Sequence, residues 1–131
     1  YAIQKNISIK LETDEKIEFE ADPYDMEIIF NNLLSNAVKY NRDNGTVKVN
    51  IIKHTGEIVI KVNDNGIGMT ENESSQLFKE FVRIKNDKTK NIPGSGLGLS
   101  IVRKITDIYH GKISVTSKPD EGTTFVVVLP V

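Results

Sequence analysis

Asn63-Asp64-Asn65-Gly66-Ile67-Gly68-Met69 and Gly94-Ser95-Gly96-Leu97-Gly98-Leu99 are the two stretches around which the chain is organised. Five of the nine glycines fall between Gly66 and Gly98. Glycine serves where backbone must take φ > 0 or approach a ligand closely. An acidic residue leaving a strand and followed by alternating glycines suggests a floor for something flat and polar. A glycine cluster opening a helix suggests a seat for an anion, since the first helical N–H groups lack intrahelical partners and the dipole favours negative charge. Together the two read as a nucleotide site.

Outward from these stretches the pattern is alternating strands and helices. Ile7, Ile9 and Leu11 alternate with Ser8 and Lys10, the period of a half-buried strand. Thr13-Asp14-Glu15 breaks the run, and Ile17 with Phe19 resumes it as a second short strand. Asp22-Pro23 starts a helix, with a capping carboxylate and a proline suited to the first helical position. Met26, Ile29, Phe30, Leu33 and Ala37 recur at helical spacing to near Tyr40, and Arg42-Asp43-Asn44-Gly45 is a turn. Strands over about 46–54 and 57–63 meet at Thr55-Gly56.

Thr70 and Glu73 have capping-box spacing and predict a short helix carrying Leu77, Phe78 and Phe81. The polar, basic segment from Asn86 to Ser95, with Pro93 inside it, is a loop. Gly98 to Tyr109 is helical, with Leu97, Ile101, Val102, Ile105 and Ile108 facing inward and Gly111 as C-cap. Segments 112–117 and 123–129 form a closing hairpin. The order strands, helix, strands, helices, strands predicts an α/β (α+β) two-layer sandwich, with helices on one face of a mixed sheet.

Bulk properties narrow the function. A chain of 131 residues fits one domain spanning 1–131, and its opening on Tyr1 predicts a piece of something larger. With 17 basic and 18 acidic residues the net charge is −1, which gives no support for nucleic acid or membrane as the main partner. The absence of cysteine excludes disulfides, thiolate nucleophiles and Cys-based zinc sites. No apolar run approaches the ~18 residues of a membrane span.

Several residues stand out chemically. Asn32, Asn36 and Tyr40 align along one side of the first long helix, with Lys39 beside them. The two carboxamide oxygens suit a hard cation such as Mg²⁺, whose remaining ligands are water and phosphate. Solvent-facing asparagines that happen to align would look the same. Asp64, at a sheet end, can accept a hydrogen bond from the exocyclic amine of adenine, with Gly66 and Gly68 letting backbone lie against the ring. An ordinary Asp-Asn-Gly turn is the plainer alternative. Gly94-x-Gly96-x-Gly98 lacks the Lys-Ser/Thr of a P-loop and follows no strand, so it is not a dinucleotide fingerprint. Between Lys79 and Lys90 five basic residues face two acidic ones, which reads as a lid over a polyphosphate or as a solvated lysine run. His54 and His110 have no acidic partner at a useful spacing and look structural.

The order of these motifs resembles the catalytic, ATP-binding domain of sensor histidine kinases, in the superfamily that also holds gyrase-type ATPases. Asn32-Leu33-Leu34-Ser35-Asn36-Ala37-Val38-Lys39-Tyr40 resembles the N box, Asp64-Asn65-Gly66-Ile67-Gly68-Met69 the G1 box, and Leu77-Phe78-Lys79-Glu80-Phe81-Val82-Arg83 the F box. Gly94-Ser95-Gly96-Leu97-Gly98-Leu99-Ser100 is similar to the G2 box, and Gly122-Thr123-Thr124-Phe125 to the closing motif. The resemblance implies a Bergerat-type sandwich, a mixed sheet of about five strands with three helices on one face.

It also implies roles. Asn36, with Asn32, would hold Mg²⁺ against the phosphates of ATP or ADP; Lys39 would contact phosphate and Tyr40 would pack near adenine. Asp64 would read the adenine amine, with Gly66, Ile67, Gly68 and Thr123 around the base. Arg83, with Lys39 the implied catalytic cation, would reach the γ-phosphate during transfer, and Gly94, Ser95, Gly96, Leu97, Gly98 and Leu99 would edge the phosphate site. Asn86–Gly94 would be the ATP lid.

Gyrase- and Hsp90-type relatives carry a glutamate base one turn before the Mg²⁺ asparagine. Asn32 stands there and cannot take a proton, which favours transfer to a protein side chain over hydrolysis. No stretch matches the family's phosphoacceptor histidine helix. The implied partners are therefore a separate dimerisation/phosphoacceptor domain and, downstream, a response regulator, with this fragment monomeric, its parent a homodimer, and no membrane contact by the fragment. The implied location is the cytoplasm, whether or not the parent is membrane-anchored. Rival readings are a stand-alone ATPase, an anti-sigma-factor serine kinase, and a nucleotide-binding scaffold without catalysis. Phosphate release, a phosphorylated serine partner, or binding without turnover would mark each.

Overall fold

The computed structural model describes residues 7–13, 21–54, 56–77 and 98–130. Five strands form one sheet: β1 (Ser8–Thr13), β2 (Thr46–His54), β3 (Glu57–Asp64), β4 (Lys112–Lys118) and β5 (Gly122–Pro130), in the order β1-β2-β3-β5-β4. β1 lies parallel to β2 and every other pairing is antiparallel, so the sheet is mixed. Three helices accompany it: α1 (Pro23–Lys39), α2 (Glu71–Ser74) and α3 (Gly98–Ile108). This is the sandwich that the element order predicts.

The core follows from strand alternation. Along the central strand β3, Ile58, Ile60 and Val62 point one way and are almost fully buried. The register sets them beside Leu129, Val127 and Phe125 of β5 and, for Val62, beside Val49 of β2. Ile29, Leu33 and Ala37 of α1 and Val102 and Ile105 of α3 close over this face. Lys48, Lys61, Asn63 and Thr116 occupy the other face, which stays open. Fully burying one such aliphatic side chain stabilises the fold by roughly 1.5–3 kcal/mol.

Local signals set the helix ends. Asp22 caps α1 through a 2.8 Å hydrogen bond from the Tyr24 N–H, with Pro23 following. The capping box at Thr70 and Glu73 is formed in both directions. The helix it starts is only four residues long, however, and Leu77 is buried in the turn beyond it. Phe78 and Phe81 lie outside the described residues, as do Ile17 and Phe19 with their expected strand.

Three other expectations are corrected. Ile9 and Leu11 are 50% and 62% exposed. They share the apolar face with Val47 and Val49, but β1 is the edge strand and α1 packs over β2 and β3. In α3 the buried face is Ser100, Val102, Ile105 and Thr106, while Ile101 and Ile108 are exposed and Leu97 is not described. Thr106 tolerates full burial because its hydroxyl donates to the Val102 carbonyl at 2.7 Å.

At the end of α3 the left-handed residue is His110 (φ 60), not Gly111. Gly111 N–H bonds the Thr106 carbonyl and His110 N–H the Asp107 carbonyl, the double closure of a Schellman motif. Gly111 is needed for a different reason: a Cβ there would stand 2.3 Å from the Val128 carbonyl oxygen. His110 thus has a backbone role, and His54 is exposed at the end of β2.

Candidate nucleotide site

The sheet order puts Asp64 where an acceptor can be held still. It is the last residue of the central strand, between Val47 of β2 and Thr123 of β5. It is 5% exposed. Oδ1 accepts the Gly66 N–H at 2.9 Å. Burial raises the carboxyl from 3.8 to about 6, against the lowering pull of the Gly66 and Thr123 N–H groups. At neutral pH it is therefore an ionised carboxylate with lone pairs to offer, poised near its titration range.

The glycine motif docks on the end of α1. Ile67 N–H donates to the Tyr40 carbonyl at 3.0 Å. A Cβ on Gly66 would lie 2.3 Å from that same oxygen, so only glycine lets the segments approach so closely. Gly68 has φ +67, and a Cβ there would meet the Lys118 carbonyl oxygen at 1.8 Å. The motif is thus wedged between the α1 terminus and the β4–β5 hairpin. Asn65 fixes the strand exit, accepting the Thr46 N–H on its side chain at 2.7 Å.

The asparagines lie on the side of α1 that faces α3. Asn32 donates through Nδ2 to the Ile28 carbonyl at 2.8 Å, and its Oδ1 lies 2.6 Å from where a Cβ on Gly98 would stand. Gly98 is the first residue of α3, so this oxygen faces that helix's N-terminus, with Leu99 half-buried next along it. Asn36 is half-buried one turn further, and its carboxamide has no protein hydrogen-bond partner among the described residues. Lys39 and Tyr40 follow, both half-buried.

Asn32, Asn36, Lys39, Tyr40, Asp64, Gly66, Ile67, Gly68, Gly98, Leu99 and Thr123 therefore lie along one connected path of elements. It runs from the start of α3 across α1 to the end of β3 and onto β5. Thr123 is buried beside Asp64, its Oγ1 2.8 Å from Ser117 Oγ. Arg83, Gly94, Ser95, Gly96 and Leu97 lie outside the described residues, as does the expected lid.

Two residues of this frame were not singled out as more than turn and strand in the sequence. Ser117 Oγ accepts the Met69 N–H at 2.9 Å and bonds the Gly122 carbonyl at 2.9 Å, pinning the glycine motif to the hairpin. Arg42 bonds one carbonyl within the motif, that of Gly66, and one in the β4–β5 turn, that of Asp120. No local pattern signals either, because the contacts to Met69, Gly66 and Asp120 join segments distant in sequence.

The structure is thus a two-layer sandwich with a buried aspartate at the end of its central strand, against a helix that carries two aligned asparagines. The chain belongs to the Histidine kinase-, DNA gyrase B-, and HSP90-like ATPase family, whose model matches residues 21–131. It is 33% identical over 125 residues to the circadian input-output histidine kinase CikA of Synechococcus elongatus, covering 95% of this chain and 17% of CikA. The nucleotide-free catalytic domain of histidine kinase ThkA superposes with a TM-score of 0.83 at 29% identity, covering 98% of this chain and 82% of that one. Full-length ShkA in complex with AMPPNP gives a TM-score of 0.85 at 26% identity, over 98% of this chain and 26% of ShkA. The chain is thus a catalytic ATPase domain of histidine-kinase type and spans less than a fifth of CikA's length. No described helix is long and apolar enough to cross a membrane.

Proposed function

We propose that this chain binds Mg-ATP and donates the γ-phosphoryl group to a histidine on a separate dimerisation/phosphoacceptor domain of its own kinase, in two-component signalling. The observation that carries the reading is Asp64, a buried acceptor fixed at the end of the central strand beside a glycine floor. Its carboxylate would take the adenine amine, with Tyr40, Ile67 and Thr123 around the base. The phosphates would then extend along α1 toward the N-terminus of α3, the end of a helix that favours anions.

The Asn36 carboxamide, without a hydrogen-bond partner among the described residues, fits a hard cation, with the Asn32 oxygen one turn away. When bound, Mg²⁺ would neutralise phosphate charge. Lys39 supplies a further cation, and Arg83 is proposed to reach the γ-phosphate as charge moves onto the leaving oxygen. The bond from the γ-phosphorus to the bridging oxygen breaks, a bond to an imidazole nitrogen of the acceptor forms, ADP leaves, and the imidazole gives up its proton. Asn32 has no proton-accepting group, which supports transfer over hydrolysis.

ThkA has been solved in complex with the response regulator TrrA. That supports a response regulator as the downstream partner here, with residues 1–131 acting as one catalytic unit in the cytoplasm. The fragment is proposed to be monomeric in a homodimeric parent.

Incubation with γ-labelled ATP and Mg²⁺, with and without the parent's phosphoacceptor segment, tests the proposal. Acid-labile label on a histidine of that segment, with little free phosphate from the domain alone, is the expected result. Sustained phosphate release without protein label would replace it with an ATPase.

A further inference from the structure

Arg42 lies in the turn that follows α1 and sends its guanidinium away from its own neighbourhood. Nη2 donates to the Gly66 carbonyl at 3.1 Å and to the Asp120 carbonyl at 2.7 Å. These acceptors are 24 and 78 residues away in sequence. Among the described residues Arg42 has no ion pair, so its cation is committed to backbone carbonyls. The same two segments are stitched a second time, where the Asp120 N–H donates to the Ile67 carbonyl at 2.7 Å. The base of the arginine is fixed as well: its N–H bonds Asn41 Oδ1 at 2.8 Å, and Asn41 Nδ2 donates to the Thr46 carbonyl at 3.1 Å.

We infer that Arg42 is a positioning residue for the base end of the nucleotide site, reading the placement of Gly66 and the β4–β5 turn and passing it to Asp64 and Thr123. The inference rests on the nucleotide reading given above. The physical route is short. Gly66 is the residue whose N–H holds Asp64 Oδ1, and its carbonyl is the one that Arg42 holds. Asp120 lies two residues before Gly122 and three before Thr123, whose N–H also bonds the Asp64 carboxyl. One guanidinium therefore restrains both backbone segments that donate to the adenine acceptor. A bond from a charged donor to two carbonyls is directional, and it is lost when the charge is removed while the stem is kept.

Arg42→Met keeps the stem and removes the donors, and Arg42→Lys returns a cation able to reach one carbonyl at a time. Two readouts decide the matter, one of which needs no nucleotide. In the ligand-free variant, hydrogen exchange at the Gly66, Ile67 and Asp120 amides is expected to speed up about tenfold, with mid-strand Ile60 unchanged. At a temperature where all variants are folded, ADP affinity by calorimetry is expected to fall about fivefold in Arg42→Met, with the ADP-over-GDP preference shrinking alongside it, and to recover partly in Arg42→Lys.

Uniform acceleration of exchange, or unchanged exchange and unchanged ADP preference, would overturn the inference and leave Arg42 an ordinary surface contact. If the wild-type protein bound no ADP at all, the nucleotide reading itself would fall and take the affinity claim with it. The exchange pattern would still decide whether Arg42 restrains the glycine motif.

Discussion

Replacing Asp64 with asparagine separates the acceptor's charge from its shape. In the wild type, burial moves the carboxyl from 3.8 to about 6. Each pKa unit corresponds to about 1.4 kcal/mol, so holding the ionised group in place costs the free domain about 3 kcal/mol at neutral pH. The sign follows from linkage. A carboxyl whose folded value is raised binds more protons folded than unfolded between pH 3.8 and about 6. Its favourable contribution is present below the unfolded value and is lost as pH rises through the folded one.

Asp64→Asn can keep an oxygen for the Gly66 N–H but replaces the other carboxylate oxygen with an amide donor in a buried place, at a cost of roughly 1–3 kcal/mol. The two terms nearly offset at pH 7, so the fold survives. In urea unfolding from pH 4 to 7, the stability of wild type relative to Asp64→Asn is therefore expected to fall by about 2.4 kcal/mol, most of it before about pH 6.5. Nucleotide binding runs the other way. In the proposed complex the ionised carboxylate is the stronger acceptor for the adenine amine, so wild-type ADP affinity relative to the variant is expected to rise by up to about tenfold from pH 5 to 7 and to flatten above that. At pH 7 the variant binds at least about tenfold more weakly. Calorimetric titration across this range checks it. An Asp64→Asn affinity within twofold of wild type, or parallel pH profiles for the two proteins, would refute the assignment.

Gly68→Ala forces a Cβ to within 1.8 Å of the Lys118 carbonyl at φ +67, and it should cost at least about 2 kcal/mol in urea denaturation. Asn36→Ala is expected to lower ADP affinity about tenfold in Mg²⁺ but little in excess chelator, since only the cation-assisted part depends on the carboxamide. Arg83→Ala should reduce phosphotransfer to the acceptor segment by at least about tenfold more than it weakens ATP binding, measured by label transfer and calorimetry. Equal losses in both would contradict a transition-state role.

What was legible in the sequence was what short-range chemistry fixes. The Asp22-Pro23 start of α1 and the Thr70–Glu73 capping box are sequence-local hydrogen bonds, and both form. The alternation in β2 and β3 carries Asp64 to a sheet end, because period-2 strands fix which residues share a face. What failed depended on neighbours from elsewhere in the chain. The alternation of Ile9 and Leu11 is real, but burial needs a helix overhead, and the edge position of β1 is a property of strand order. The phase of α3 likewise depends on its neighbours. Ile101 and Ile108 are apolar enough to bury, yet Thr106 takes the inward place because it bonds its own helix. Ser117 and Arg42 were invisible because their partners lie across the hairpin.

The strand order also explains why the acceptor belongs on β3. An aspartate at an edge strand would be half-solvated, ionised at low cost, and already hydrogen-bonded to water that adenine would have to displace. At the end of the central strand, Asp64 has β2 on one side and β5 on the other, with the glycine motif folded back over it. Its carboxylate is largely shielded from solvent and held by two backbone N–H groups, so a hydrogen bond from a ligand amine would meet a pre-set partner in a low-dielectric site, where such bonds are strongest. The raised pKa and the proposed affinity for adenine thus have one cause. Moving the aspartate to a better-solvated position would relieve the stability cost and weaken the proposed recognition together.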